Sequence, residues 1–108
     1  MRLSIRPEAD HDLDQAADFY AREANVDVAL RFLAAFDAVC TTLLQHPQSG
    51  TIVKVANPRL SGLRFCVVPG FESHLIFHIS APACVEVVRV LHGARDLARI
   101  LEDDSTHE

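Results

Sequence analysis

A chain of 108 residues, 49% hydrophobic and 23% charged, holds enough apolar sequence for one core but not two, and too much to stay disordered. Its net charge of −5 argues against a protein whose main task is gripping a nucleic acid backbone. No stretch approaches the roughly 18 apolar residues of a membrane span, and the start MRLSIRPEADHDL lacks a secretion signal, which points to the cytoplasm.

The charge is segregated. Residues 1–50 carry eight acids and four bases, residues 51–100 three acids and six bases, and the last eight residues four acids and no Lys or Arg. The modestly basic second half suits an acidic partner segment. One domain over 1–101 and an acidic tail over 102–108 are expected.

In chain order, RLSIR at 2–6 alternates, with Leu3 and Ile5 expected on one buried face of a short strand. Pro7 suits the first turn of a helix, and Glu8 and Asp10 suit its positive end. Ala9, Leu13, Ala16, Ala17, Tyr20 and Ala24 recur at helical spacing, so residues 7–24 read as an amphipathic helix. Asn25-Val26-Asp27 reads as the break, with Asn25 in the left-handed closing conformation and Asp27 capping the next helix. That helix, about 27–46, carries Ala29, Phe32, Leu33, Phe36, Val39, Cys40, Leu43 and Leu44 on one stripe, and the two should pack as a hairpin on a sheet.

His46-Pro47-Gln48-Ser49-Gly50 ends the second helix, and a loop with one short extended piece, TIVKV, runs to Gly62. Strands follow at 63–68, 74–80 and 84–91, joined by Pro69-Gly70 and Ala81-Pro82 turns, which implies an antiparallel meander. Gly93 releases the chain from the last strand into a short helix at 94–101, tied down by Leu97, Ile100 and Leu101. The expected class is α+β, in the order β-α-α-β-β-β with a short C-terminal helix.

Cys40, Cys66 and Cys84 sit among apolar neighbours without C-x-x-C spacing and read as reduced core thiols. Asp10, Asp14 and Asp18 line one face of the first helix with Asp12 nearby; a solvated face with an Asp18–Arg22 ion pair is preferred over a metal site. His74 and His78 have H-x-x-x-H spacing, but on a strand four residues span about 13 Å, too far to share an ion. His11, His46 and His107 read as surface residues. No phosphate loop, nucleophile elbow or dinucleotide glycine pattern occurs, and no aromatic platform for bases.

Two arginines remain on the sheet. Arg64 opens one strand; Arg89 interrupts another, by alternation on the face of Val85, Val87 and Leu91, with Glu86 opposite beside Val88 and Val90. Each arginine is either an edge residue or part of a basic patch that receives a carboxylate or phosphate. His92, at the strand end, is either hydrogen-bonded to backbone or a group titrating near neutrality.

Taken together, ADHDLDQAADFYARE, ALRFLAAFDAVCTTLLQHPQSG, RLSGLRFCVV, HLIFHI and VEVVRVLHGARDL, in that order and spacing, resemble the ParE branch of the RelE/ParE toxin superfamily. These are the toxic halves of bacterial type II toxin–antitoxin pairs, and the resemblance spans nearly the whole chain. It implies a helical hairpin on a mostly antiparallel sheet, no cofactor, and a cognate antitoxin whose C-terminal segment wraps the toxin. ParE-type members are associated with inhibition of DNA gyrase, RelE-type members with ribosome-dependent cleavage of messenger RNA.

The RelE route uses Lys and Arg with a C-terminal Tyr or His for phosphate stabilisation and proton transfer. Here there is one lysine, Lys54, and no tyrosine after Tyr20, so a ribonuclease site would have only Arg64, Arg89 and His92, with Glu86 as a less favoured base. The resemblance therefore leans to a non-enzymatic, ParE-like poison. Its target- or antitoxin-binding candidates are Arg59, Arg64, Arg89, Arg95, Leu97 and Arg99.

Overall fold

The computed structural model describes residues 1–93. Strand β1 (Arg2–Ile5) leads into helix α1 (Pro7–Glu23) and helix α2 (Val26–Gln45); strands β2 (Thr51–Ile52), β3 (Arg64–Val68), β4 (Phe71–Ala81) and β5 (Cys84–His92) follow. They form one sheet in the order β1-β5-β4-β3-β2. β1 runs parallel to β5 and every other pairing is antiparallel; the helical hairpin carries the chain from β1 at one edge of the sheet to β2 at the other. The α+β class and the mostly antiparallel sheet are as the sequence implies. The expected helix at 94–101 and the tail at 102–108 lie outside the described residues.

Both helix starts follow from local chemistry. Pro7 sits at the first position of α1 with Glu8 and Asp10 in the first turn, where a missing N–H costs nothing and acids favour the dipole. The hairpin turn differs from expectation. Asn25 is extended at φ −165°, and its side chain accepts from the Val28 N–H at 2.9 Å, so Asn25 rather than Asp27 caps α2. An Asn oxygen that can reach the third amide onward stabilises this start by about 1 kcal/mol over Ala.

The helices lie on one face of the sheet. Ala9, Leu13, Ala16, Phe32, Phe36 and Cys40 meet Val68, Ile76, Val87 and Val90 there. On the other face Leu60 and Leu63 of the β2–β3 connection cover Phe77, Val88 and Leu91. Phe32, Phe77, Leu43, Leu63 and Ile76 are fully buried, each worth about 1.5–3 kcal/mol on transfer from water.

The short extended piece TIVKV keeps only two strand residues. Gly50 turns the chain at φ +94°, and a Cβ there would sit 2.5 Å from the Phe65 carbonyl oxygen, so only glycine lets the loop approach β3. β1 is also thinner than its alternation suggests: Leu3 packs against the core, but Ile5 is 37% exposed, being the last residue of a short edge strand.

One irregularity re-aims β5. Phe77 pairs with Arg89 but His78 with Val87, leaving Val88 as the extra residue of a β-bulge. Strict alternation, which grouped Arg89 with Val85, Val87 and Leu91, therefore fails. Val87 and Val90 share the helix face, and Val88 and Leu91 the opposite one.

Candidate functional site

Beyond the bulge, β5 outruns β1, whose register with it ends at Ile5–Val87. Asp12 of α1 fills the gap. Its carboxylate accepts from Arg89 Nε at 2.8 Å and Nη2 at 3.0 Å, and from the Val90 backbone N–H at 3.0 Å. The side chains are only 4% (Asp12) and 15% (Arg89) exposed, so a planar two-point ion pair satisfies two buried charges and a strand amide at once. The pair borders a cleft of about 490 Å³ with Pro7, Glu8, His11 and Gln15.

Asp12 is the residue that sequence reasoning placed wrongly, beside the solvated Asp10, Asp14 and Asp18. The signal was present: the buried residues of α1 are Ala9, Asp12, Leu13 and Ala16, so Asp12 stands inside the apolar stripe. The expected Asp18–Arg22 ion pair is replaced by a bond from Arg22 Nε to the Asp18 backbone oxygen at 3.3 Å.

At the far end of the same strands, His74 and His92 face each other in register with rings 5.5 Å apart, edge to face. The buried His74 meets the Tyr20 hydroxyl through Nδ1 at 2.9 Å, and Phe32 and Phe71 close the cluster. His78, four positions along β4, has different neighbours. Its Nε2 lies 3.5 Å from Cys66 Sγ, its Nδ1 has no hydrogen-bond partner among the described residues, and burial, aided by nearby Arg64, pushes its pKa down. His74 and His78 thus serve two separate clusters.

Of the cysteines only Cys40 is fully buried, and burial with Asp37 nearby pushes its thiol up to about 12. Cys66, half-buried, is also raised by burial, and Cys84 is half-buried at the start of β5.

The remaining sequence-derived candidates are spread out. Arg64 donates to the Gly50 carbonyl at 3.2 Å. Glu86 pairs with Arg6 at 2.9 Å, an interaction that raises the Arg6 pKa. Arg64 lies opposite His78 and Arg89 opposite Phe77, so β4 separates the two arginines by about 10 Å of sheet. His92 lies opposite His74, about 13 Å along β4 from His78. Arg59 is exposed in the short turn Pro58–Leu60. Arg95, Leu97 and Arg99 lie outside the described residues. Among the described residues no three His, Cys, Asp or Glu side chains converge on a metal position.

A helical hairpin carrying the chain from β1 at one sheet edge to β2 at the other, with an antiparallel meander back to β5, is an α+β arrangement consistent with the RelE/ParE-like fold. The sequence model described as ParE toxin of type II toxin-antitoxin system, parDE, matches residues 3–97, and the chain belongs to that family. Among solved structures, one titled as a chromosomal ParDE TA system from P. aeruginosa superposes with a TM-score of 0.73 at 18% identity, covering 85% of this chain and 95% of that one. No curated protein sequence matches the chain. No helix among the described residues is long and apolar enough to cross a membrane.

Proposed function

We propose that this ParE-family toxin acts in the cytoplasm by binding DNA gyrase and stalling it, and that a cognate antitoxin neutralises it. The observation that carries the non-enzymatic reading is the separation of its polar groups. Arg89 is tied to Asp12, Glu86 to Arg6 and Arg64 to Gly50, while His92 sits edge to face with His74. A nuclease needs acid, base and phosphate-stabilising groups within hydrogen-bond reach of one reacting phosphate; here Glu86, Arg89 and His92 are spaced three residues apart along β5, Arg64 stands on β3, and each has a different partner. Arg59, Arg64, Arg95, Leu97 and Arg99 are then residues of protein recognition, while Arg89, held by the buried Asp12, serves the fold.

The test is a supercoiling assay in which the purified chain is added to purified gyrase, run beside a cell-free translation assay. Gyrase inhibition with translation intact supports the reading. Intact supercoiling with cleaved messenger RNA overturns it in favour of the RelE-type activity.

A further inference from the structure

The tip of the helical hairpin leaves apolar side chains in water. Helix α2 buries Ala29, Phe32, Phe36, Cys40 and Leu43, yet Val26 is 63% exposed and Leu30 58%. Four residues apart, these two form one stripe, about 100° around the helix from the buried one. The next stripe outward holds Asp27 and Arg31, also four apart and both exposed. Among the described residues no ion pair engages either of them. The Asn25 side chain holds the Val28 N–H, which fixes the first turn of α2 and presents all four side chains on a rigid ridge.

The order of charge along the ridge selects the occupant. An acid precedes a base by four residues, so a partner helix satisfies both when it runs antiparallel with the same acid-then-base order. A second copy of α2 is such a helix. With a twofold axis at the level of Ala29, Asp27 of each copy falls level with Arg31 of the other. Leu30 then lies about 3 Å along the helix axis from both Val26 and Leu30 of the second copy, at 1.5 Å per residue, so the exposed apolar groups cover one another. The tip is also charge-balanced, with two bases (Arg22, Arg31) and two acids (Glu23, Asp27). Like copies therefore meet there without the repulsion that a net charge of −5 brings elsewhere. An acidic partner would find Asp27 opposed to it.

We infer that two copies of this chain associate through the outer ridge of α2, with Val26 and Leu30 packed antiparallel across a twofold axis and flanked by two Asp27–Arg31 pairs. The contact is isologous, one patch used twice. It spans about two helical turns, at the low end of specific interfaces, so the dimer comes apart on dilution. The inference goes beyond the gyrase reading and stands without it.

Sedimentation equilibrium on the full chain over the micromolar range should show a monomer–dimer equilibrium. Leu30→Glu should weaken it by about tenfold or more, since it puts a carboxylate into the apolar centre. The melting temperature should hold, because Leu30 is exposed in the single chain. The charge order is tested by mixing. Asp27→Arg gives a ridge with two bases and Arg31→Asp one with two acids, so each alone should dimerise several-fold more weakly than the parent. An equimolar mixture of the two should recover association, and high salt should erase the difference. An ion pair within one helix cannot produce that recovery. A parent that stays monomeric overturns the inference, as does a dimer indifferent to Leu30→Glu, or a mixture that associates no better than its components. If the parent is monomeric and Leu30→Glu abolishes gyrase inhibition or antitoxin binding, the ridge belongs to that partner and the self-association falls.

Discussion

Asp12 and Arg89, seventy-seven positions apart in sequence, meet through two charge-assisted hydrogen bonds of 2.8 and 3.0 Å, and the same carboxylate holds the Val90 amide. The ion pair is thereby also a piece of secondary structure: α1 supplies the acceptor that β1 is too short to provide. The bulge at Val88 and the acid in the apolar stripe of α1 explain one another. Without the shift in register, Arg89 would share the face of Val87, and Val90 would not join the helix-side core.

Asp12→Ala should therefore be among the more damaging substitutions on α1. It takes the carboxylate away from a buried guanidinium and the acceptor from a strand amide, a loss of about 3–5 kcal/mol. At about 4–8 °C per kcal/mol for a domain near this size, thermal unfolding should fall by well over 10 °C. Asp12→Asn keeps an oxygen for Val90 and should fall less. Replacing both partners with apolar residues, Asp12→Leu with Arg89→Met, should recover most of the loss, since it removes two desolvated charges together. If Asp12→Ala melts like the parent, the pair contributes nothing.

How much of this was legible in the sequence follows from which signals are local. The hairpin, the meander and their boundaries rest on periodicity and on Pro and Gly positions, and they were readable to within a few residues. The parallel pairing of β1 with β5 and the bulge depend on contacts between distant segments, which no window of sequence contains. Arg89 shows the consequence: period-two alternation assigned it a face that one extra residue invalidated. Asn25 was misread for a different reason, because one side chain can cap a following helix or close a preceding one, and the Val28 N–H decided between them.

Acid should weaken the fold through His78. Burial lowers its folded-state pKa below the ordinary value of 6.5, with Arg64 acting in the same direction. The unfolded chain then binds the proton more readily. Stability from keeping His78 neutral is full above about pH 6.5 and is lost as pH falls from there toward the folded pKa, by at most about 1.4 kcal/mol per pH unit for one proton. Urea midpoints at pH 7.5, 6.0 and 5.0 should fall across that window in the parent and fall less in His78→Leu. Parallel curves would show that His78 is not the group responsible.

Thiol chemistry should be ordered by burial. Cys40 is buried between the helices and the sheet and held near 12, so it should resist iodoacetamide at pH 8 as long as the chain is folded. Cys84 and Cys66 are half-buried and should be alkylated first, with Cys66 slowed because burial also raises its pKa. Peptide mass spectrometry after timed labelling reads the order directly. Early modification of Cys40 would mean that the α2–sheet contact opens on the labelling timescale.

The choice between poison and nuclease turns on His92. In the folded chain its ring lies edge to face against His74, which itself packs on Tyr20 and Phe32. Its role there is packing at the strand exit, and a protein-binding toxin should survive its truncation. His92→Ala is therefore expected to retain growth arrest on induction, with circular dichroism confirming the fold. Arg95→Ala, just beyond the strand exit in a candidate recognition stretch, should weaken arrest more. A nuclease predicts the reverse order, because removing a general acid or base costs about 10²–10⁴ in rate, enough to abolish killing. A folded but harmless His92→Ala protein, together with parent toxin that leaves purified gyrase untouched, would sink the gyrase reading.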